Sequence, residues 1–167
     1  MTQTYEPIST QTLGSAIADV FFLSIPQTYT DLVLVVSSNT AAFTQSGFRV
    51  NSDSASNYSW TELYGTGSAA GTYRVASNSY GRVNNYGAPD TTGRDVMIAN
   101  FMNYSNTTTY KTVINRYNNG GGGAPGTGAA VNLWRSTSAI TSINFLTTSG
   151  ANFAVGSTFT LYGIKAA

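Results

Sequence analysis

The chain has 167 residues and contains neither cysteine nor histidine, which excludes a disulfide framework, thiolate metal sites, a cysteine nucleophile and the commonest general base. Charged residues are only 9% of the sequence, against roughly 25% in ordinary domains, and eight Lys/Arg balance seven Asp/Glu to a net charge of +1. The cations are scattered singly, so nucleic acid is not expected as a partner; no apolar run approaches the ~18–20 residues of a membrane span and no leader-like segment opens the chain, so no membrane partner is expected either.

Residues 1–10, "MTQTYEPIST", offer little to a core beyond Tyr5 and Ile8, and Pro7 discourages a central strand. They read as an N-terminal arm ahead of a domain spanning 11–167, with Thr2, Gln3, Thr4, Tyr5 and Glu6 as candidate contacts to a neighbour or a shell. Residues 12–25 fit either period, but the Val20-Phe21-Phe22 run and the stop at Pro26 favour a strand, with Ile17, Phe21, Leu23 and Ile25 on one face. The unbroken run Leu32–Val36 predicts a strand covered on both faces. In "NYSWTELYG", Tyr58, Trp60 and Tyr64 share a face, read as core around Trp60 in preference to a sugar-stacking strip. Strands follow over 94–102, over 109–116, where Tyr110, Thr112 and Ile114 alternate with Lys111, Val113 and Asn115, and over 138–146. The Gly-rich stretch 118–128 reads as a loop tip. The strand over 157–165 carries apolar residues on both faces, hence an interior position, with Gly156 at the turn into it and Gly163 at a bulge or close backbone approach. Short strands punctuated by turns, with no long helix and no fixed repeat, give an all-β fold: a single-domain antiparallel jelly-roll sandwich of about eight strands.

Chemical motifs are sparse. Asp53, near Asn51 and Asn57, has calcium-loop composition without the EF-hand order, and reads as an Asx turn. The pairs Asp90/Asp95 and Asp53/Glu62 are what chance supplies among seven acids, too little to predict a hydrolase. "GGGGAPGTG" lacks the lysine ending and the helix of a phosphate loop. No catalytic residue, metal or cofactor is therefore expected. Tyr80, Tyr86, Asn118 and Asn119 lie among Asn, Ser and Gly, the residue set of adaptable recognition loops, and are candidate loop contacts.

The strings "TLGSAIADVFFLSIPQTYTDLVLVVSS", "NYSWTELYGTGS" and "LWRSTSAITSINFLTTSGANFAVGSTFTLYGIK" resemble small jelly-roll virion proteins of tailed phages of the cyanophage and marine-phage type. The resemblance spans about residues 4–165, is strongest over 26–37, 57–68 and 133–165, and does not extend to 70–128. It implies a capsid decoration (cement) protein, trimeric, on the outer surface of the virion, with itself and the major capsid protein or another virion protein as partners. The alternative it implies is a receptor-binding or tail-appendage module recognising host-surface glycan. It transfers no catalytic residue.

Overall fold

β-Branched and aromatic residues dominate the ordered runs, and they form strands; the computed structural model describes residues 4–42, 44–84, 93–119 and 126–165, with no helix among them. In chain order the strands are β1 Tyr5–Thr12, β2 Asp19–Phe22, β3 Asp31–Ser38, β4 Ser46–Val50, β5 Tyr58–Gly65, β6 Ala70–Asn78, β7 Gly81–Arg82, β8 Asp95–Phe101, β9 Lys111–Asn119, β10 Gly126–Trp134, β11 Ile143–Thr147 and β12 Thr158–Ile164.

They make two antiparallel sheets, ordered β1-β12-β3-β8-β9-β10-β5-β6 and β2-β11-β4-β7. The pairs β1–β12, β2–β11, β3–β8 and β4–β7 are nested, and successive pairs fall alternately in the large and the small sheet. This is a long hairpin rolled up, the jelly-roll winding. Eight strands make the roll. The other four are two inserted hairpins, β5–β6 between β4 and β7, and β9–β10 between β8 and β11, which join each other through β10–β5 and widen the large sheet.

The core lies between the sheets. Phe48 of β4 meets Tyr58 and Phe101 edge-on at 6.0 and 5.2 Å, and Phe145, Phe153 and Phe159 cluster with centroids 5.2–5.7 Å apart. Each such ring, fully buried, contributes about 1.5–3 kcal/mol. Tyr58 and Trp60 are buried, as the sequence predicts. β12 is interior, between β1 and β3, though its outward residues are only half covered. Gly156 turns at φ 79°, and at Gly163 a Cβ would stand 2.4 Å from the Tyr29 ring, so the chain does approach closely there.

Three expectations need correction. Residues 5–10 are not an arm: they lie within β1, the edge strand of the large sheet, where Tyr5 pairs with Ile164 and a bulge at Pro7/Ser9 absorbs the proline. On β2 the buried residues are Val20 and Phe22, while Phe21 and Leu23 are exposed. The strand expected over 138–146 begins only at Ile143. Before it, the Asn51 side chain claims the backbone, donating to Ala139 C=O at 2.7 Å and accepting from the Thr141 and Ser142 N–H groups at 2.8 and 3.2 Å.

Candidate functional site

Widening the large sheet carries β9, β10, β5 and β6 to the side of the roll where the two-residue strand β7 ends the small sheet. The inward residues there are polar and buried: Glu62 on β5, Asn115 and Tyr117 on β9, Asn132 on β10, with Arg82 and Asn84 facing them. Asn132 accepts the Arg82 N–H at 2.7 Å and donates to the Arg82 C=O at 3.0 Å, so one side-chain amide gives β7 the two bonds that a neighbouring strand would. Its Nδ2 also donates to Asn115 Oδ1 at 2.7 Å, and Asn115 Nδ2 donates to the Val83 C=O at 2.6 Å. Asn84 Oδ1 accepts the Ser46 N–H at 2.5 Å. These amides fasten the small sheet to the widened one beside the aromatic contact of Phe48 with Tyr58.

Glu62 is fully buried. Tyr117 donates to its Oε1 at 2.5 Å, while its Oε2 has no hydrogen-bond partner. Burial pushes the carboxyl above its ordinary value, against the opposing pull of the Tyr117 hydroxyl and the Arg82 charge. Arg82 lays its guanidinium 4.5 Å from the Trp60 ring centroid, and its own proton affinity is lowered, again first by burial. An acid, a phenol and a guanidinium thus meet, but in a sealed interior: Glu62 shows no exposed surface through which a substrate could reach it. Their arrangement helps to hold β7 in place. The sequence reading missed this cluster. The signal was a single carboxylate, Glu62, on the face of β5 that carries Tyr58, Trp60 and Tyr64.

The opposite, outward face of the large sheet is open. Cross-strand register sets Leu63, Ala129, Arg116, Ile98 and Val35 in one row, and Thr61, Val131, Ile114, Asn100 and Val33 in the next. Leu63, Val131, Val96 and Ile114 are 62, 53, 45 and 44% exposed, far more than their strand partners inside. Over β8, β9, β10, β5 and β6 no described outward residue is a carboxylate, whereas Arg74 and Arg116 point outward. A groove of about 380 Å³ crosses this face, lined by Ser59, Thr61, Arg74, Val131, Leu133 and Arg135. Arg135 is fixed there by donating to Ser56 C=O at 2.7 Å and Ala76 C=O at 3.2 Å.

The residues singled out from sequence are dispersed. Thr2, Gln3 and Tyr86, like Asp90, lie outside the described residues. Thr4 and Glu6 are tied to the chain's own C-terminal end: the Thr4 C=O accepts from Lys165 N–H at 3.0 Å, and Glu6 pairs with Lys165 at 2.7 Å and accepts from Tyr29 OH at 3.2 Å. Tyr5 is exposed but edge-on to Tyr162 at 6.5 Å. Tyr80 is half-buried near Arg82. Asn118 and Asn119 alternate on β9, so Asn118 is exposed on the outward face and Asn119 is buried on the inward one; they do not form one contact loop. Asp53 is committed to a turn, accepting from Ala55 N–H, Asn57 Nδ2 and Trp134 Nε1 at 2.9, 2.9 and 2.7 Å. Burial works to raise its proton affinity, but these bonds outweigh it and hold the carboxyl below its ordinary value. Among the described residues no three acids gather as a metal site would need. No protein-family model matches the chain, and no curated protein matches it in sequence.

Proposed function

We propose that this chain is a non-enzymatic structural subunit of a phage particle, a capsid decoration protein that binds the outer head shell as a homotrimer. The outward face of the large sheet is the observation that supports this reading most. It is broad, half apolar and carboxylate-free over five strands, the character of a surface that is covered in an assembly. The sequence resemblance to small virion proteins points the same way, and so does a composition whose few charges give little colloidal repulsion. Purified protein mixed with expanded capsids would test it: saturable binding, visible as regular density outside the shell by electron microscopy, is expected, and absence of binding would refute it. The groove between Arg74 and Arg135, rimmed by hydroxyls of Ser59 and Thr61, supports the second reading, recognition of host-surface glycan. A glycan array separates the two, since a decoration protein gives no sugar-specific signal.

A further inference from the structure

Sheet edges are where a β protein is most open to pairing, and the two ends of the large sheet are treated differently. At one end, β1 carries Pro7, a bulge between Pro7 and Ser9, and the Glu6–Lys165 ion pair, all devices that blunt an edge. At the other end, β6 carries none of these over its first six residues. Its register with β5 is regular from Gly65–Ala70 to Trp60–Val75 and breaks only beyond, towards Asn78. The strand contains no proline and one charge, Arg74, and Ala70, Thr72, Tyr73 and Arg74 are exposed, so it is open on both faces as well as along its edge.

The ladder tells which backbone groups face that edge. Thr66 N–H donates to Ala69 C=O at 2.8 Å, closing the hairpin with a bonded pair. Bonded and non-bonded pairs alternate from there, so Tyr64–Gly71 and Glu62–Tyr73 are bonded while Gly65–Ala70, Leu63–Thr72 and Thr61–Arg74 are not. Ala70, Thr72 and Arg74 therefore turn their N–H and C=O groups away from β5, to the open side.

We propose that this edge pairs with β6 of a second copy of the chain, antiparallel and centred on Thr72. About a two-fold axis through that position, Thr72 faces itself, Tyr73 faces Gly71, Arg74 faces Ala70 and Val75 faces Ala69. Every bulky side chain meets a small one, and the two Arg74 guanidiniums are not opposed. The contact is isologous and joins the two large sheets into one continuous sheet. Such a two-fold contact is separate from any three-fold one: it joins single chains, or trimers, in pairs; it requires no phage shell, and it leaves the outward face free for whatever that face binds.

The chain has no cysteine, so a single introduced thiol can pair only with its counterpart. A bonded antiparallel pair has Cα atoms about 5.5 Å apart, within the range of a disulfide. Thr72→Cys, kept at micromolar concentration under mild oxidation, is expected to give a disulfide-linked pair on a non-reducing gel, far faster than Ser138→Cys in an exposed loop. Thr72→Lys, which opposes two ammonium groups at an exposed site, is expected to weaken association by about fivefold in sedimentation equilibrium without changing the melting transition. Crosslinking of Thr72→Cys no faster than of Ser138→Cys would overturn the proposal, as would a pairwise step, monomer to dimer or trimer to hexamer, that Thr72→Lys leaves unchanged.

Discussion

Replacing Glu62 by glutamine tests the interior polar cluster directly. The carboxyl is fully buried, one oxygen is bonded to Tyr117 and the other has no partner, so its charge would be poorly compensated if it formed. Burial raises its proton affinity in the fold above that of the open chain. The stability it contributes is therefore complete below the unfolded value of about 4.3 and is lost as pH rises from there through the folded value. Glutamine keeps an acceptor for Tyr117 but has no charge to lose. Its amide NH2 replaces the unpartnered oxygen, which adds a penalty of about 1 kcal/mol that does not vary with pH. The informative quantity is thus the slope of the difference. Urea unfolding of both proteins between pH 4 and 8 should show Glu62→Gln gaining on the wild type as pH rises, by up to about 1.4 kcal/mol per pH unit above about 4.3. A difference that is flat across this range would refute the reasoning, and one that falls would show the carboxylate ionised and productively balanced by Arg82.

Two further outcomes follow from packing. At Gly81, paired with Phe48, a Cβ would stand 2.2–2.4 Å from the Phe48 ring, and that ring is held between Tyr58 and Phe101; Gly81→Ala should cost about 3 kcal/mol and lower Tm by about 6–12 °C, and an unchanged melting curve would show that the core yields. Deleting residues 158–167 removes β12 from between β1 and β3, taking away Phe159 and Leu161 and stranding β1; with about 2–5 kcal/mol per large core side chain and a total of about 5–15 kcal/mol available, insoluble protein is expected, and a soluble, cooperatively melting 1–157 fragment would contradict the topology.

What the sequence made legible was local. The strand over Leu32–Val36, the interior placement of the last strand, the turn at Gly156 and the close approach at Gly163 are each written in a few consecutive residues, and the structure agrees with them, except that Val35 is only half-covered on the outward face. The segment 109–116 shows the boundary. Its two alternating sets each mix polar and apolar residues, so period two marks a strand without saying which side faces in. The structure buries Lys111, Val113 and Asn115, because the Lys111 ammonium reaches the carbonyls of Thr109 and Thr137 at 2.7 and 3.2 Å, and Asn115 reaches Val83. Thr137 and Val83 are distant in sequence, and alternation carries no trace of them. The expected arm misread Pro7 for the opposite reason: a proline that excludes a central strand is compatible with an edge one.

The two inserted hairpins account for both the awkward interior and the open surface. A bare roll ends its large sheet at β8, opposite β7, and each sheet then covers the other. Adding β9, β10, β5 and β6 extends the large sheet with no matching strands in the small one among the described residues. Inside, the gap could not be filled by interdigitating apolar side chains from two sheets, and the backbone of β7 and Val83 needed partners. Asn132 and Asn115 supply them as amides, at the expense of burying Glu62 and Arg82 beside them. Outside, the same extension creates the wide carboxylate-free face and leaves β6 as an unblunted terminal strand. The surface and the edge that the inserted hairpins create are therefore where this chain's own partners are to be sought.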